Sequence, residues 1–451
     1  MRVKRNRQVQ LDWSSSATLK IVAEFKTKYN GISQILDSNP EILARVHQDL
    51  KALSSSNARG RKGDFTTENI LRALVVYCME GTRLRDTVVR IALSEFLRAF
   101  VRLGNRQVMD FSFLDRCFGA IRPDTWNAVN RILSTWGVAE GHVDPSQVRT
   151  DTTVTEANIH WPTDASLLWD SYRVLTRLVR RAQPLLASVR HHRFHDRKAK
   201  KHYLYIARYI ASAAQSRQRE VKARFRQLIA SVRRVGSIAQ EVEEAGRAGS
   251  DLELAGLAAE LRTYLPAVRT IACVAERAGV HGETVATSER IFSLFEQHAE
   301  LIKRGKRSKP VEFGHVIQLV QTREKFITDY TVLERRVADR ELLAPAVEQH
   351  HRQFGSYPEA VTADCGFHGN PETMDGVREK VGTVAVAKNV REWSGEDFAA
   401  FRSFRAGIEG SISVLKRAFW LGRCLFRGFR NFASSVGLSV FCHNLVLLAR
   451  T

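Results

Sequence analysis

Ile70, Leu71, Leu74, Val75 and Cys78 recur at the spacing of one helix face, with Thr66 or Thr67 available as a cap and Gly81 as the stop. A second helical stretch runs from Leu84 to about Val101, and a third follows Pro123 with Trp126, Val129 and Ile132 in register. The pattern changes at VRTDTTVT around Asp151, where β-branched side chains predict a strand. From about Ala165 to Ala299 the composition turns helical again, interrupted only by Pro184 and Pro266.

Beyond KRGKRSKP, the runs VEFGHVIQLV and FITDYTVL flank a short polar QTREK and predict a hairpin. A helix opened by Pro345 runs to about Phe354, and EAVTADCG predicts a short strand ending in Asp364. Asn370 and Pro371 have the chemistry of a helix start, GTVAVA (382–387) reads as a strand, and helices follow over about 396–421 and 434–450. With the long helical block set aside, this order predicts a mixed sheet flanked by helices, an α/β arrangement.

A chain of 451 residues is long for one core, so several domains are expected. The reading is a basic N-terminal arm and linker (1–64), a helical domain (65–145), a mixed-sheet core (146–164 with 306–433), a helical insertion (165–305) and a C-terminal helix (434–451). Neither a 20-to-50-residue repeat nor a long low-complexity tract is present.

Charge narrows the partner. Lys and Arg number 69 against 48 Asp and Glu, a net charge of +21, which points to a polyanion and to nucleic acid before membrane. Six scattered cysteines, with no C-x-x-C pair, suit a reducing cytoplasm rather than a disulfide framework or zinc ribbon. MRVKRNR is followed by polar QVQLDWSSS, unlike a secretory leader, and the apolar stretch around Leu438–Leu448 is interrupted by His443 and Asn444, short of a membrane span. A soluble, cytoplasmic protein is expected. The chain lacks a G-x-x-x-x-G-K-[ST] loop, so ATP-driven chemistry has no support.

Two aspartates sit on predicted strands: Asp151 within one, Asp364 at the end of another, where open α/β sheets place ligand-binding groups. Glu409 lies on the helix FRSFRAGIEGSISVLKRAFW, with Arg405 four residues before it and Lys416 seven after. At 100° per residue these three share one stripe at the edge of the apolar face of Ile408, Ile412, Leu415 and Phe419. An i,i+4 ion pair on a solvated helix is one account of that stripe. Convergence of Asp151, Asp364 and Glu409 to hold two divalent cations for in-line phosphoryl displacement is the other. Hard oxygen ligands would suit Mg²⁺, with Mn²⁺ as a substitute.

The R-x₃-E-x₆-K arrangement at Arg405, Glu409 and Lys416 resembles the signature of DDE transposases from bacterial insertion sequences. RTDTTVTEANIHWPTD, KPVEFGHVIQL and TADCGFHGNPE resemble the first strand, hairpin and second-aspartate region of that superfamily, particularly its ISNCY-like group. The resemblance implies a ribonuclease-H-like core with an all-α N-terminal domain and a large helical insertion. It also implies recognition of terminal inverted repeats, then strand cleavage and transfer of double-stranded DNA by a homodimer with no membrane role. It assigns Asp151, Asp364 and Glu409 as catalytic metal ligands, with Arg405 and Lys416 as DNA contacts; Arg402, Arg423, Arg427 and Arg430 are further candidate DNA contacts read from the basic residues around that helix. Where the family usually carries Tyr three residues before the Arg, this chain has Arg402. A transposase-derived repressor without catalysis, or a nuclease that cuts without strand transfer, would share these features.

Three other signals stand apart. His191 and His195 have the i,i+4 spacing of a metal pair, although HHRFHDRKAKKHY better suits a DNA-facing basic patch. RGFRNF, with Arg427, Phe429, Arg430 and Phe432, reads either as a phosphate-contacting, base-stacking element or as an ordinary loop. Trp161 and Trp393 are candidates for base stacking or for the core.

Overall fold

The β-branched run around Asp151 seeds a mixed sheet. In the computed structural model, which describes residues 19–53, 65–303, 310–388 and 396–450, the strands are β1 (Gln147–Glu156), β2 (Glu300–Lys303), β3 (Val311–Thr322), β4 (Ile327–Val332), β5 (Ala360–Ala363) and β6 (Thr383–Ala385). β1 lies between β3 and β5, and β5 pairs in parallel with both β1 and β6. The expected hairpin forms as the antiparallel pair β3–β4, and the first residues of β3 take β2 as an antiparallel partner that periodicity did not reveal.

Contacts divide the chain into two compact units, Met1–Ala157 with His315–Thr451, and Asn158–Gly314. In the first, alternation along the strands sends side chains to two apolar layers. Val148, Val320, Val361 and Ala363 join Leu343, Val347, Met374 and Val377 of α12 (Leu343–Phe354) and α13 (Pro371–Arg378). Ile317 and Leu319 instead join Ile408 and Leu415 of α14 (Glu396–Ala418) and the long apolar α15 (Phe429–Leu448). The sheet is therefore sandwiched between helices, consistent with a ribonuclease-H-like core.

Among the described residues, seven helices precede β1: α1 (Lys20–Ser38), α2 (Pro40–Lys51), α3 (Thr67–Glu80), α4 (Leu84–Leu93), α5 (Glu95–Val101), α6 (Phe111–Ala120) and α7 (Pro123–Ala139). Two of them, α1 and α2, occupy a stretch the sequence suggested as arm and linker. Each buries an apolar stripe, Ile32, Ile35 and Leu36 in one and Ile42, Leu43 and Val46 in the other, that the Ser- and Arg-rich segment after them masked. The stretch expected as one helix from Leu84 is two, because Ser94 is extended and its hydroxyl accepts the Leu97 N–H at 3.2 Å as a cap. The start of α3 is as expected: Thr66 and Asn69 cap each other reciprocally, and Gly81 closes it at φ 59°.

These helices share one apolar core with α15. By length and composition α15 could cross a membrane, which the shorter run around Leu438–Leu448 did not suggest, but 89% of its apolar window is buried inside the protein. Its polar interruption has a structural use: the Asn444 side chain accepts the Ile327 N–H at 3.0 Å and donates to the Ile327 carbonyl at 2.8 Å, pinning the start of β4. Gly437 lets α7 approach, since a Cβ there would come within 2.4 Å of Trp126 Cβ.

Asp329 of β4 borders a cavity of about 370 Å³ that it shares with Arg131 and Arg352. Burial pushes its carboxyl up to about 6, against the pull of Arg131. An acid with a raised folded-state pKa holds its proton longer when folded, so its contribution to stability is lost as pH rises from about 4 to about 6. Asp329→Asn should therefore flatten the fall in stability across that window, by up to about 3 kcal/mol, as read by urea denaturation at each pH. An unchanged slope would place the titration elsewhere.

The second unit is helical: α8 (Asp164–Ala182), α9 (Asp196–Tyr209), α10 (Gln215–Ala248) and α11 (Leu252–Ala275) surround a core of their own that includes Leu168, Leu175, Phe225, Leu228, Val232, Leu261 and Ile271.

Candidate active site

Register brings the two aspartates together. The parallel β1–β5 ladder pairs Arg149 with Thr362 and Thr150 with Ala363; continued by one residue, it sets Asp151 beside Asp364. Val148, Val361 and Ala363 belong to the apolar layer under α12 and α13, so alternation turns Arg149, Asp151, Thr362 and Asp364 toward the opposite face. That is the face against which Arg149 meets α14, the helix that carries Glu409.

Each aspartate is oriented by its own backbone. Asp151 Oδ1 accepts the Thr152 N–H at 2.7 Å, and Asp364 Oδ1 accepts the Cys365 N–H at 2.8 Å as the cap of the short turn Cys365–Phe367. Asp151 is half-buried, whereas the Asp364 and Glu409 side chains are 58% and 65% exposed, open to solvent. Burial pushes the Asp151 carboxyl up to about 6; the charges of Asp364 and Glu409 add to that push, while the Thr152 N–H and Arg405 oppose it. The three acids thus share one electrostatic neighbourhood.

Arg405 lies among them, with its guanidinium 3.6 Å from Glu409 and 4.0 Å from Asp364 and only 19% exposed. The simple i,i+4 pair weighed from the sequence is present, and it extends to the strand aspartate. Among the described residues, no group of three His, Cys, Asp or Glu stands close enough to hold a metal ion. The chemistry of the donor set fits a hard cation all the same: these are carboxylates alone, and the penalty that Asp364 and Glu409 impose on Asp151 is one that positive charge would relieve.

Three neighbours were missed by the sequence. Arg149, 4% exposed, donates from Nε to Gln321 at 2.8 Å and from Nη1 to the Phe404 carbonyl, tying α14 to the sheet. Gly407 makes room for it, since a Cβ there would come within 2.2 Å of Arg149 Nη1. Asp339, in the turn before α12, lies 3.5 Å from the Thr152 hydroxyl and against Gly366. An arginine inside a strand was the one visible signal, because a buried guanidinium must find partners.

Of the expected DNA contacts, Arg402, Arg423, Arg427 and Arg430 are exposed and Lys416 is partly buried. The backbone at Arg423 forms a parallel β-bridge with Glu156 where the chain leaving α14 meets the end of β1, and the Arg430 side chain donates to the Ala120 carbonyl at 3.0 Å. In RGFRNF, Phe432 is core, 1% exposed, so that ring is not available for base stacking. Trp161 is 65% exposed and meets Phe313 edge-on, while Trp393 lies outside the described residues. His191 and His195 do not form a helical metal pair, because α9 begins only at Asp196 and His195 is its non-helical cap.

The order of these parts along the chain, with one acid on β1, one after β5 and one on α14, can be compared with known families. Residues 293–445 match the family model of the transposase DDE domain. This match supports a DDE transposase. It covers about a third of the chain and contains Asp364, Arg405 and Glu409, while Asp151 on β1 lies before it. Comparisons with curated proteins and with solved structures return no match.

Proposed function

We propose that this chain is an insertion-sequence transposase that binds terminal inverted repeats and cleaves and transfers DNA strands with Asp151, Asp364 and Glu409. The observation that carries the reading is the convergence of two strand aspartates, adjacent by register, with a helix glutamate whose charge reaches Asp151. The DDE-domain match over 293–445 supports it, and the strand and hairpin motifs are the grounds for its ISNCY-like placement.

In this reading Asp151, Asp364 and Glu409 would hold Mg²⁺ or Mn²⁺, two ions per site, which when bound would supply charge neutralisation and activation of the attacking oxygen. The chain's own residues do the positioning. The Thr152 and Cys365 N–H groups orient the aspartates, and Arg149 holds α14, and with it Glu409, against β1. Arg405 turns its guanidinium into the acidic group, where it can pass from carboxylate to DNA phosphate as substrate enters. Lys416, Arg402, Arg423, Arg427 and Arg430 would line the approach of the duplex. Synapsis of two ends would require two copies, acting in the cytoplasm on the nucleoid.

The test is incubation of purified protein with supercoiled DNA carrying the repeats that flank the gene, in Mg²⁺ and in Mn²⁺. Breaks at the repeat boundaries and joined products are expected. Binding to the ends with no breakage in either cation would favour a repressor derived from a transposase, and breakage without joined products a simple nuclease.

A further inference from the structure

The helical unit carries a charge asymmetry that the acidic site does not use. Residues 190–234 hold fourteen Lys and Arg against two acids, a net +12 that is more than half of the chain's +21. Residues 235–303 reverse the balance, with eleven acids against six Lys and Arg. The basic stretch folds as α9 and the first half of α10, joined by the short connection at 210–214.

Its cations are turned outward. At 100° per residue, Arg219, Lys222, Arg226 and Arg233 of α10 fall within about 60° of one another, opposite the buried Val221, Leu228, Val232 and Val235. That stripe is about 21 Å long, enough to follow about six phosphates of one DNA strand. Arg233 pairs with Glu276, but Arg219, Lys222 and Arg226 have no acidic partner within ion-pair distance among the described residues. Beside the stripe, a cleft of about 320 Å³ opens between the two helices, lined by Arg193, Lys198, His202 and Arg234 and by no acid. His202 is 2% exposed, and burial, then Arg224 and the nearby lysines, depress its pKa. A cleft without acids beside a stripe in which only Arg233 has an acidic partner is the electrostatic footprint of a polyanion site.

We propose that the α9–α10 hairpin is a sequence-independent grip on the backbone of duplex DNA, with the stripe following one strand and the cleft seating a phosphate. That the polyanion is duplex DNA rests on the transposase reading; the location of the grip does not. Such contacts position the duplex without reading its bases, so they should act on any sequence and weaken steeply with salt.

The experiment measures fluorescence anisotropy of a mixed-sequence DNA duplex with the full chain over a salt series. Two triple variants, Arg193→Ala/Lys198→Ala/Arg234→Ala in the cleft and Arg219→Ala/Lys222→Ala/Arg226→Ala on the stripe, change exposed side chains and should keep the wild-type helical signal. Each is expected to weaken binding at least about tenfold and to reduce the slope of log affinity against log salt by up to about 2.7. A control, Arg247→Ala/Arg262→Ala/Arg269→Ala in the acidic half, removes the same charge and should bind like wild type. Unchanged affinity and slope in both test variants, an equal loss in the control, or preferential binding to anionic lipid vesicles would overturn the proposal. Strand cleavage in Mg²⁺ is read in a separate assay, so failure of the cleavage reading and failure of this one give different results.

Discussion

Glu409→Gln is expected to reduce DNA strand cleavage by about 10³-fold or more while leaving duplex binding within about twofold of wild type. The substitution keeps the shape and removes only the charge. Glu409 is 65% exposed and its carboxylate lies 3.6 Å from Arg405, so the fold should lose no more than about 0.5 kcal/mol. On the proposed function, what is lost is one of three carboxylates, and with it several kcal/mol of the charge stabilisation that phosphoryl transfer requires. Asp151→Asn and Asp364→Asn should behave alike in cleavage. They should differ in stability, since only Asp151 is half-buried as a charge; its loss removes a strained ionisation. Cleavage by Glu409→Gln at the wild-type rate would remove the glutamate from the site.

Gly407→Ala should destabilise the protein by about 1–2 kcal/mol and slow cleavage by about 10- to 100-fold, although Gly→Ala within a helix is ordinarily stabilising. Alanine's preference for the helix would contribute up to about 1 kcal/mol in favour. Against it, the new methyl would come within 2.2 Å of Arg149 Nη1. A flexible arginine end could move aside, but this one is buried, bonded to Gln321 and to the Phe404 carbonyl, and lies 4.8 Å from the Phe404 ring. Overpacking of this kind costs about 1–3 kcal/mol, and it acts on the helix turn that bears Glu409, where a shift of about 1 Å can cost about 100-fold in rate. Thermal denaturation and the cleavage assay read both effects. Pairing Gly407→Ala with Arg149→Ala should cost less than the two changes summed, because the second makes room for the first. A stabilised Gly407→Ala variant would show that α14 does not rest on Arg149 in this way.

Much of the architecture was legible because it depends on local periodicity. Thr66 as cap, Gly81 as stop, Asn370 with Pro371, the β3–β4 hairpin and the strand ending at Asp364 each follow from a few adjacent residues whose backbone preferences agree. The errors lie where composition hid a pattern or where a pairing partner was distant. The polar segment after Lys51 disguised α1 and α2, and β2 is too short to show a period. His191 and His195 were spaced as a helix would space them, yet the helix begins beyond both.

By itself the sequence determined the residue types of the candidate site, the carriage of Glu409 with Arg405 on one helix stripe, and the concentration of positive charge in residues 190–234. These are properties of single segments, and spacing along one element is enough to express them. Only the tertiary structure decided that Asp151 and Asp364, 213 residues apart, sit side by side, because β-ladder register is a relation between distant strands that no local pattern encodes. It also decided that a buried Arg149 and the absent side chain of Gly407 hold the glutamate to the sheet, since both matter only once helix and strand touch.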